Sequence, residues 1–196
     1  MTAMAPSSPD TSASSGRDFR DRRKSVWTRR EQAGRALWRL VEATLFRRSP
    51  TPCNGWRAWL LRRFGATIGP RCCIRPTVRC EAPWNLELGE FATLGDHVIV
   101  YSLGRIRVGA RASVSQYSHL CAGTHDHSVP DMPLIKAPIT IGDDAWIAAD
   151  VFVGPGVTIG PGTVVGARSG VFSDLPPWMI CVGTPARPVK PREYRA

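Results

Sequence analysis

The chain has 196 residues, 43% hydrophobic and 21% charged, which suits one domain plus an appendage and excludes disorder throughout. No apolar run approaches the roughly 20 residues that cross a bilayer, and Met1 to Ser15 carry no secretory pattern. Six cysteines without a Cys-x-x-Cys pair argue against a disulfide framework and a structural zinc site, so the expected compartment is the cytoplasm.

The net charge of +10 is unevenly spread. Residues 1–66 hold 14 basic and 5 acidic side chains, and residues 67–196 hold 12 and 11. The basic character belongs to an N-terminal arm, so the rest of the chain need not bind the arm's partner.

Residues 1–16 are mostly Ser, Pro, Thr, Ala and Gly and predict a disordered tail. A basic helical segment follows over 17–66. Ala33, Leu37, Leu40, Val41, Thr44 and Leu45 recur at spacings of three and four, and Pro50 and Pro52 stop that helix. A second helix fits Gly55 to Phe64, with Trp56, Trp59, Leu60 and Phe64 on one side and Arg57, Arg62 and Arg63 around it. The favoured fate of both apolar faces is docking on the main domain. The alternative is in-plane contact with an anionic membrane surface, which Trp and Leu among basic residues suit.

From Ile68 the period is six. The first positions are Ile68, Ile74, Cys80; Leu88, Leu94, Val100; Val108, Val114, Leu120; Ile141, Ile147, Val153; and Ile159, Val165, Val171. The second position is Gly in eight hexads, among them Gly69, Gly89 and Gly160. The fifth is mostly small or Val, from Cys72 and Ala92 through Ser118 and Thr124 to Ser169. The phase slips by two before Leu88, before Val108 and before Ile141, so that groups of three hexads repeat every 18 to 20 residues. One interval, Val108 to Ile141, is 33 residues long, an excess of 13 over the preceding 20-residue coils that falls in 126–138.

A triangular coil explains this pattern. Each hexad is one short strand and one corner, the first position points inward, and Gly is expected to supply the tight corner or a positive φ. Five coils about 4.8 Å apart make a prism on the order of 24 Å tall. Its open ends need caps, and the helical arm suits the first coil. The expected organisation is a prism over 67–185 with a loop insertion at 126–138, followed by a basic tail at 186–196.

The hexads resemble those of the left-handed parallel β-helix, or hexapeptide-repeat, acyltransferases. Local motifs are similar to the branch that acetylates exopolysaccharide sugars, the colanic-acid-biosynthesis type. They are Leu120-Cys121-Ala122-Gly123-Thr124-His125-Asp126, Pro138-Ile139-Thr140-Ile141-Gly142-Asp143-Asp144-Ala145-Trp146-Ile147, and Gly183-Thr184-Pro185-Ala186-Arg187. The stretches Gly34 to Trp38 and Trp56 to Gly65 match it too. The resemblance implies a mainly β fold, a left-handed parallel β-helix of about five coils with an N-terminal α-helical segment. It also implies an acetyl-CoA-dependent O-acetyltransferase acting on a saccharide acceptor, free, nucleotide-linked or lipid-linked, in exopolysaccharide biosynthesis. Because the family's sites lie between adjacent prisms, it implies a homotrimer.

Acyl transfer from a thioester to a hydroxyl needs a base, an acceptor held in line, and donors for the tetrahedral oxyanion. An ordinary imidazole titrates near 6.5, so a neutral His can serve as base. The resemblance makes His125 that base, at a corner where the insertion leaves the prism. Asp126 either orients the imidazole or is an acid at the mouth of a solvated loop. His97 stands where related galactoside acetyltransferases place an acceptor-contacting Asn, which leaves the acceptor open. Tyr101, Gln116 and His119 are further acceptor candidates on neighbouring coils.

For the coenzyme, the resemblance sets Trp146 beside the pantetheine channel. Backbone near Ala148 and Ala149 meets the thioester, with an N–H as oxyanion donor. Gly166, Ala167 and Arg168 flank the pantetheine arm. Related enzymes often carry Lys at the position of Ser173. Arg187 and Lys190, or Arg168, would supply that charge to the phosphates.

Three alternatives use the same residues. An N-acyltransferase differs only in the acceptor. A carbonic-anhydrase-like enzyme would bind zinc through His97, His119 and His125, although His119 and His125 are one full hexad apart. A non-catalytic scaffold would hold an anionic surface through its basic arm. No metal is expected, and the absence of a nucleic-acid motif argues against a nucleic-acid partner.

Overall fold

The structure, a computed structural model, describes residues 27–128, 130 and 132–193. The tail expected at 1–16 and the basic stretch at 17–26 lie outside the described residues. Strands of two or three residues repeat through the prism, and they form three parallel sheets. Face one is Thr67–Ile68, Leu86–Leu88, Ile106–Val108, Ile139–Ile141 and Thr158–Ile159. Face two begins at Cys73–Ile74 and runs through Trp146–Ile147 and Val164–Val165 to Met179–Gly183. Face three begins at Arg79–Cys80 and ends at Gly170–Val171.

The register joins first position to first position. Ile68 pairs with Leu88, Leu88 with Val108, Val108 with Ile141, and Ile141 with Ile159. All fifteen first-position residues are buried. Each coil adds three such side chains to one continuous apolar column, which drives the stacking.

The helix is longer than the expected five coils. Leu175 bridges to Ile159, and Cys181 pairs with Val165, so a sixth, partial coil is stacked on the fifth. The final strand, Ala186–Pro191, then folds back antiparallel on Met179–Gly183. The hexads count short there because Pro176 and Pro177 take the Gly position and the one after it.

Glycine has a different job from the expected one. None of the eight second-position glycines has a positive φ. The left-handed conformation falls at position four, at Arg71, Phe91, His97, Arg111, Tyr117, Asp144, Asp150 and Arg168 among others. The second position needs Gly because the next coil presses on it. A Cβ on Gly89 would lie 2.4 Å from the Ala110 nitrogen, and one on Gly160 2.4 Å from the Pro177 nitrogen.

The first coil is capped by helix α1 (Arg29–Val41), a π-helical turn (Glu42–Phe46) and helix α2 (Asn54–Arg63). Thr28 and Glu31 form a reciprocal capping box at the start of α1. One side chain per face then meets the exposed strand edge. Arg62 Nε donates to the Ile68 carbonyl at 3.0 Å, Arg57 Nε to Ile74 at 2.5 Å, and Trp38 Nε1 to Cys80 at 2.6 Å. Glu42 and Asn54 accept from the Cys80 and Ile74 N–H groups. Backbone groups that would otherwise template aggregation are thereby satisfied.

The buried sides of these helices differ from the expected ones. Trp38 and Phe46 are buried and meet edge to face at 5.8 Å, while Leu37, Leu40 and Leu45 stay more than half exposed. The π-turn brings Phe46 onto the side of Trp38. On α2 the inward residues are Arg57, Ala58, Leu60 and Leu61, and Trp56 and Trp59 face out.

The insertion also departs from expectation. The chain leaves the prism at Gly123, three residues before 126, and forms an antiparallel hairpin of Gly123–His125 with Leu134–Lys136. Thr124 is therefore an exposed hairpin residue, not a buried fifth position.

Candidate active site

His125 is the last residue of the hairpin's first strand and is exposed. Its Nδ1 lies 2.6 Å from the Met132 carbonyl oxygen. A carbonyl only accepts, so Nδ1 carries the proton and Nε2 presents its lone pair. That is the tautomer a general base needs. Asp126 does not orient the ring. Its Oδ1 accepts from the Ser128 N–H at 3.0 Å and from the Ser128 hydroxyl at 2.6 Å, and these bonds hold its carboxyl below the usual range. It shapes the turn beyond His125, and the hydrogen bond to the ring comes from the backbone at Met132. No sequence signal marks that carbonyl. At the hairpin's base, Trp27 lies between Lys136, 4.1 Å from the ring, and Arg35, at 4.3 Å.

The acceptor candidates separate into two groups. His97 and Gln116 lie on the ridge between faces two and three. His97 stacks on Tyr117 at 5.1 Å with the rings 5° from parallel, a partner absent from the sequence reading. Tyr101 and His119 lie on face three. His119 is edge-on to Tyr101 and Phe152, at 6.2 and 5.5 Å, and its Nε2 is buried without a hydrogen-bond partner. Burial pushes its pKa down. The neutral ring is therefore favoured in the fold, while the unfolded chain takes up a proton below about 6.5. His119 thus costs stability progressively as pH falls below that value. His119→Phe is expected to flatten this loss, read as a smaller drop in urea midpoint between pH 8 and pH 5. An unchanged drop would place the acid sensitivity elsewhere.

The coenzyme candidates converge. Trp146 faces outward on face two, and its Nε1 donates to Ser115 Oγ at 2.9 Å. Its cross-strand row continues through Val164 and Ile180 to Lys190. Ile180 pairs with Lys190 but Cys181 with Pro188, so Val189 is an extra, unpaired residue. That bulge returns Arg187, opposite Val182, to the face of Lys190. Because Cys181 between them is buried, this is the outer face.

Ala148, Ala149, Gly166, Ala167 and Arg168 stack along the ridge toward face three. The Ala148 N–H is spent on the Val165 carbonyl at 2.9 Å, and Gly166 N–H on Cys181 at 2.8 Å. The N–H groups of Ala149 and Ala167 have no partner among the described residues. Of the two alanines expected at the thioester, only Ala149 keeps an N–H without a partner among the described residues. Arg168 lies 3.4 Å from Asp150, whereas Arg187 reaches Ser173 Oγ at 3.2 Å, the position where a Lys was missed.

His125 and the ridge of Ala149 and Arg168 lie on different edges of one prism. His125 leaves at the corner between faces three and one, and Ala149 stands at the corner between two and three. A six-residue face, on the order of 20 Å, separates them. His97, His119 and His125 likewise do not converge within the chain, and the described residues hold no cluster of three metal-ligating side chains.

A hexad-built parallel β-helix with a corner histidine on an inserted hairpin defines a hexapeptide-repeat acyltransferase. The family model for bacterial transferase hexapeptide (six repeats) matches residues 138–173. The chain is 51% identical over 156 residues to a protein of Escherichia coli (strain K12) named for colanic acid biosynthesis as the acetyltransferase WcaF, covering 80% of this chain and 86% of that one. It belongs to that family of hexapeptide-repeat acetyltransferases. Among solved structures, a maltose O-acetyltransferase from Clostridium difficile 630 is similar at TM-score 0.76 and 26% identity, over 85% of this chain and 90% of that one. A hexapeptide-repeat acetyltransferase of Vibrio cholerae O1 biovar eltor, solved with acetyl coenzyme A, is similar at TM-score 0.77 and 25% identity, over 85% and 91%.

Proposed function

We propose that the chain moves an acetyl group from acetyl-CoA to a sugar hydroxyl of an exopolysaccharide building block, in the cytoplasm where acetyl-CoA is made. The observation that carries this reading is the His125 imidazole, held through Nδ1 by the Met132 carbonyl so that Nε2 can take a hydroxyl proton. The named activities of the relatives support the donor and the acceptor class. The coenzyme would lie along face two, with its thioester at the Ala149 N–H, its pantetheine arm past Ala167 and its phosphates at Arg187 and Lys190. The acceptor would lie beside His97 and Gln116 on the same ridge. The test is a coenzyme A release assay against neutral sugars, amino sugars and lipid-linked oligosaccharides. Release with amino sugars alone would assign N-acylation.

The site is completed between prisms. The separation of His125 from Ala149 supports a homotrimer in which one subunit's hairpin meets its neighbour's coenzyme ridge. Sedimentation is expected to give a trimer. Co-expressed His125→Ala and Arg187→Ala/Lys190→Ala subunits are expected to regain part of the activity that each lacks alone. A fully active monomer would overturn the shared site.

Arg187→Ala/Lys190→Ala is expected to raise the KM for acetyl-CoA more than it lowers kcat, because phosphates are remote from the reacting carbon. If coenzyme A affinity is unchanged, Arg168 or another subunit carries the phosphates.

A further inference from the structure

The helical cap turns an apolar face away from the prism it covers. Leu37 and Leu40 are 56% and 61% exposed on α1, with Ala33, Ala36 and Ala43 exposed beside them. Leu45 continues the patch, and Trp56 joins it by donating from Nε1 to the Leu45 carbonyl at 3.1 Å. Trp56 stacks on Trp59 at 5.1 Å, and both are exposed. The patch thus crosses from one helix to the other without a break.

Its surroundings are cationic. Residues 27–66 hold nine Arg and two Glu. Both acids are engaged, Glu31 in the capping box and Glu42 on the Cys80 N–H. Arg47, Arg48 and Arg63 are exposed and make no ion pair among the described residues. The Arg63 guanidinium lies over the Trp59 ring, 6.0 Å from its centre.

From this geometry we propose that the cap lies in the surface of an anionic phospholipid bilayer. Leu37, Leu40 and Leu45 would enter the acyl boundary, Trp56 and Trp59 would sit at headgroup level, and the arginines would meet lipid phosphates. Charge selects this occupant over a second copy of the same face. An isologous pairing would press two arginine-rich faces together, whereas an anionic surface neutralises them. The contact is independent of the acetyl-transfer reading. It would place α1, whose Arg35 meets Trp27 and through it the hairpin of His125, at the membrane surface.

The test is co-sedimentation of the full chain with phosphatidylcholine vesicles that contain or lack phosphatidylglycerol. Binding is expected only with phosphatidylglycerol, and it should weaken as salt rises. Leu40→Glu/Leu45→Glu and Arg47→Glu/Arg48→Glu should each lower binding by roughly tenfold or more, with sedimentation and coenzyme A release on soluble acceptor unchanged. No binding to anionic vesicles would overturn the proposal. So would binding that both variants retain, which would assign it to residues 1–26. A change of oligomeric state in Leu40→Glu/Leu45→Glu would assign the patch to a second copy instead.

Discussion

Replacing His125 by Ala is expected to lower turnover by about 10²–10⁴-fold, the usual contribution of a positioned base. Coenzyme A affinity should survive, because the proposed coenzyme contacts are Arg187, Lys190 and the backbone at Ala149 and Ala167, not the imidazole. Met132 lends only its backbone carbonyl, so Met132→Leu should leave turnover nearly intact despite the substitution beside the base. On the proposed function the transfer would be direct: Nε2 would take the acceptor proton, the alkoxide oxygen would attack the thioester carbonyl, and the coenzyme A thiolate would leave and take up a proton. Neither Cys121 nor Cys181 suits a covalent relay. Cys181 is fully buried in the prism, and burial pushes its thiol pKa up. The Cys121 thiol donates to the Gly123 carbonyl at 3.3 Å. Cys121→Ala should keep most activity, and kinetics should show a ternary complex. An acetylated cysteine by mass spectrometry, or an active His125→Ala enzyme, would refute direct transfer from this base.

Arg57→Met is expected to be the most damaging change in the cap. The side chain is completely buried and meets five acceptors, none of them a carboxylate. Nε donates to Ile74, and Nη1 to Ser49 Oγ at 2.8 Å and to the Pro50 carbonyl at 2.7 Å. Nη2 donates to the Thr51 carbonyl and, at 3.0 Å, to Asn54 Oδ1. Met keeps the apolar stem but supplies no donors, leaving buried carbonyls unpaired. The cost should be about 3 kcal/mol, from the unpaired buried acceptors, or roughly a 10 °C fall in Tm. Arg57→Lys should recover only part of it, because one ammonium cannot span both sides of the fork. A thermal midpoint within a degree or two of the parent for Arg57→Met would show that the 49–54 loop and the first coil hold together without it.

Arg57 also shows where the sequence stopped being legible. In the linear pattern it is one of several arginines around a helix with a Trp face. It turns inward because the first coil presents unpaired carbonyls, and an edge three strands wide cannot be seen by a period count along one helix. The same blindness reversed Leu37, Leu40 and Leu45, whose spacing promised docking. Trp38 took the buried side because its Nε1 could reach Cys80 while its ring met Phe46 and Phe64.

The prism was legible because its repeat is local. Each first-position residue meets its counterpart one coil away, so burial, register and stacking follow from a six-residue phase, and only the last coil, altered by Pro176 and Pro177, escaped the count. Family motifs in turn singled out His125, Trp146, Arg187 and Lys190 one residue at a time. Only the tertiary structure decided what those residues touch. The Met132 carbonyl, not Asp126, meets the His125 ring, because the hairpin bends so that backbone reaches Nδ1. A bulge at Val189 puts Arg187 and Lys190 on one face. The tertiary structure also left the Ala149 N–H without a partner while the Ala148 N–H bonds the Val165 carbonyl, since which corner N–H meets the next coil is decided by how the coils stack and not by the residue types.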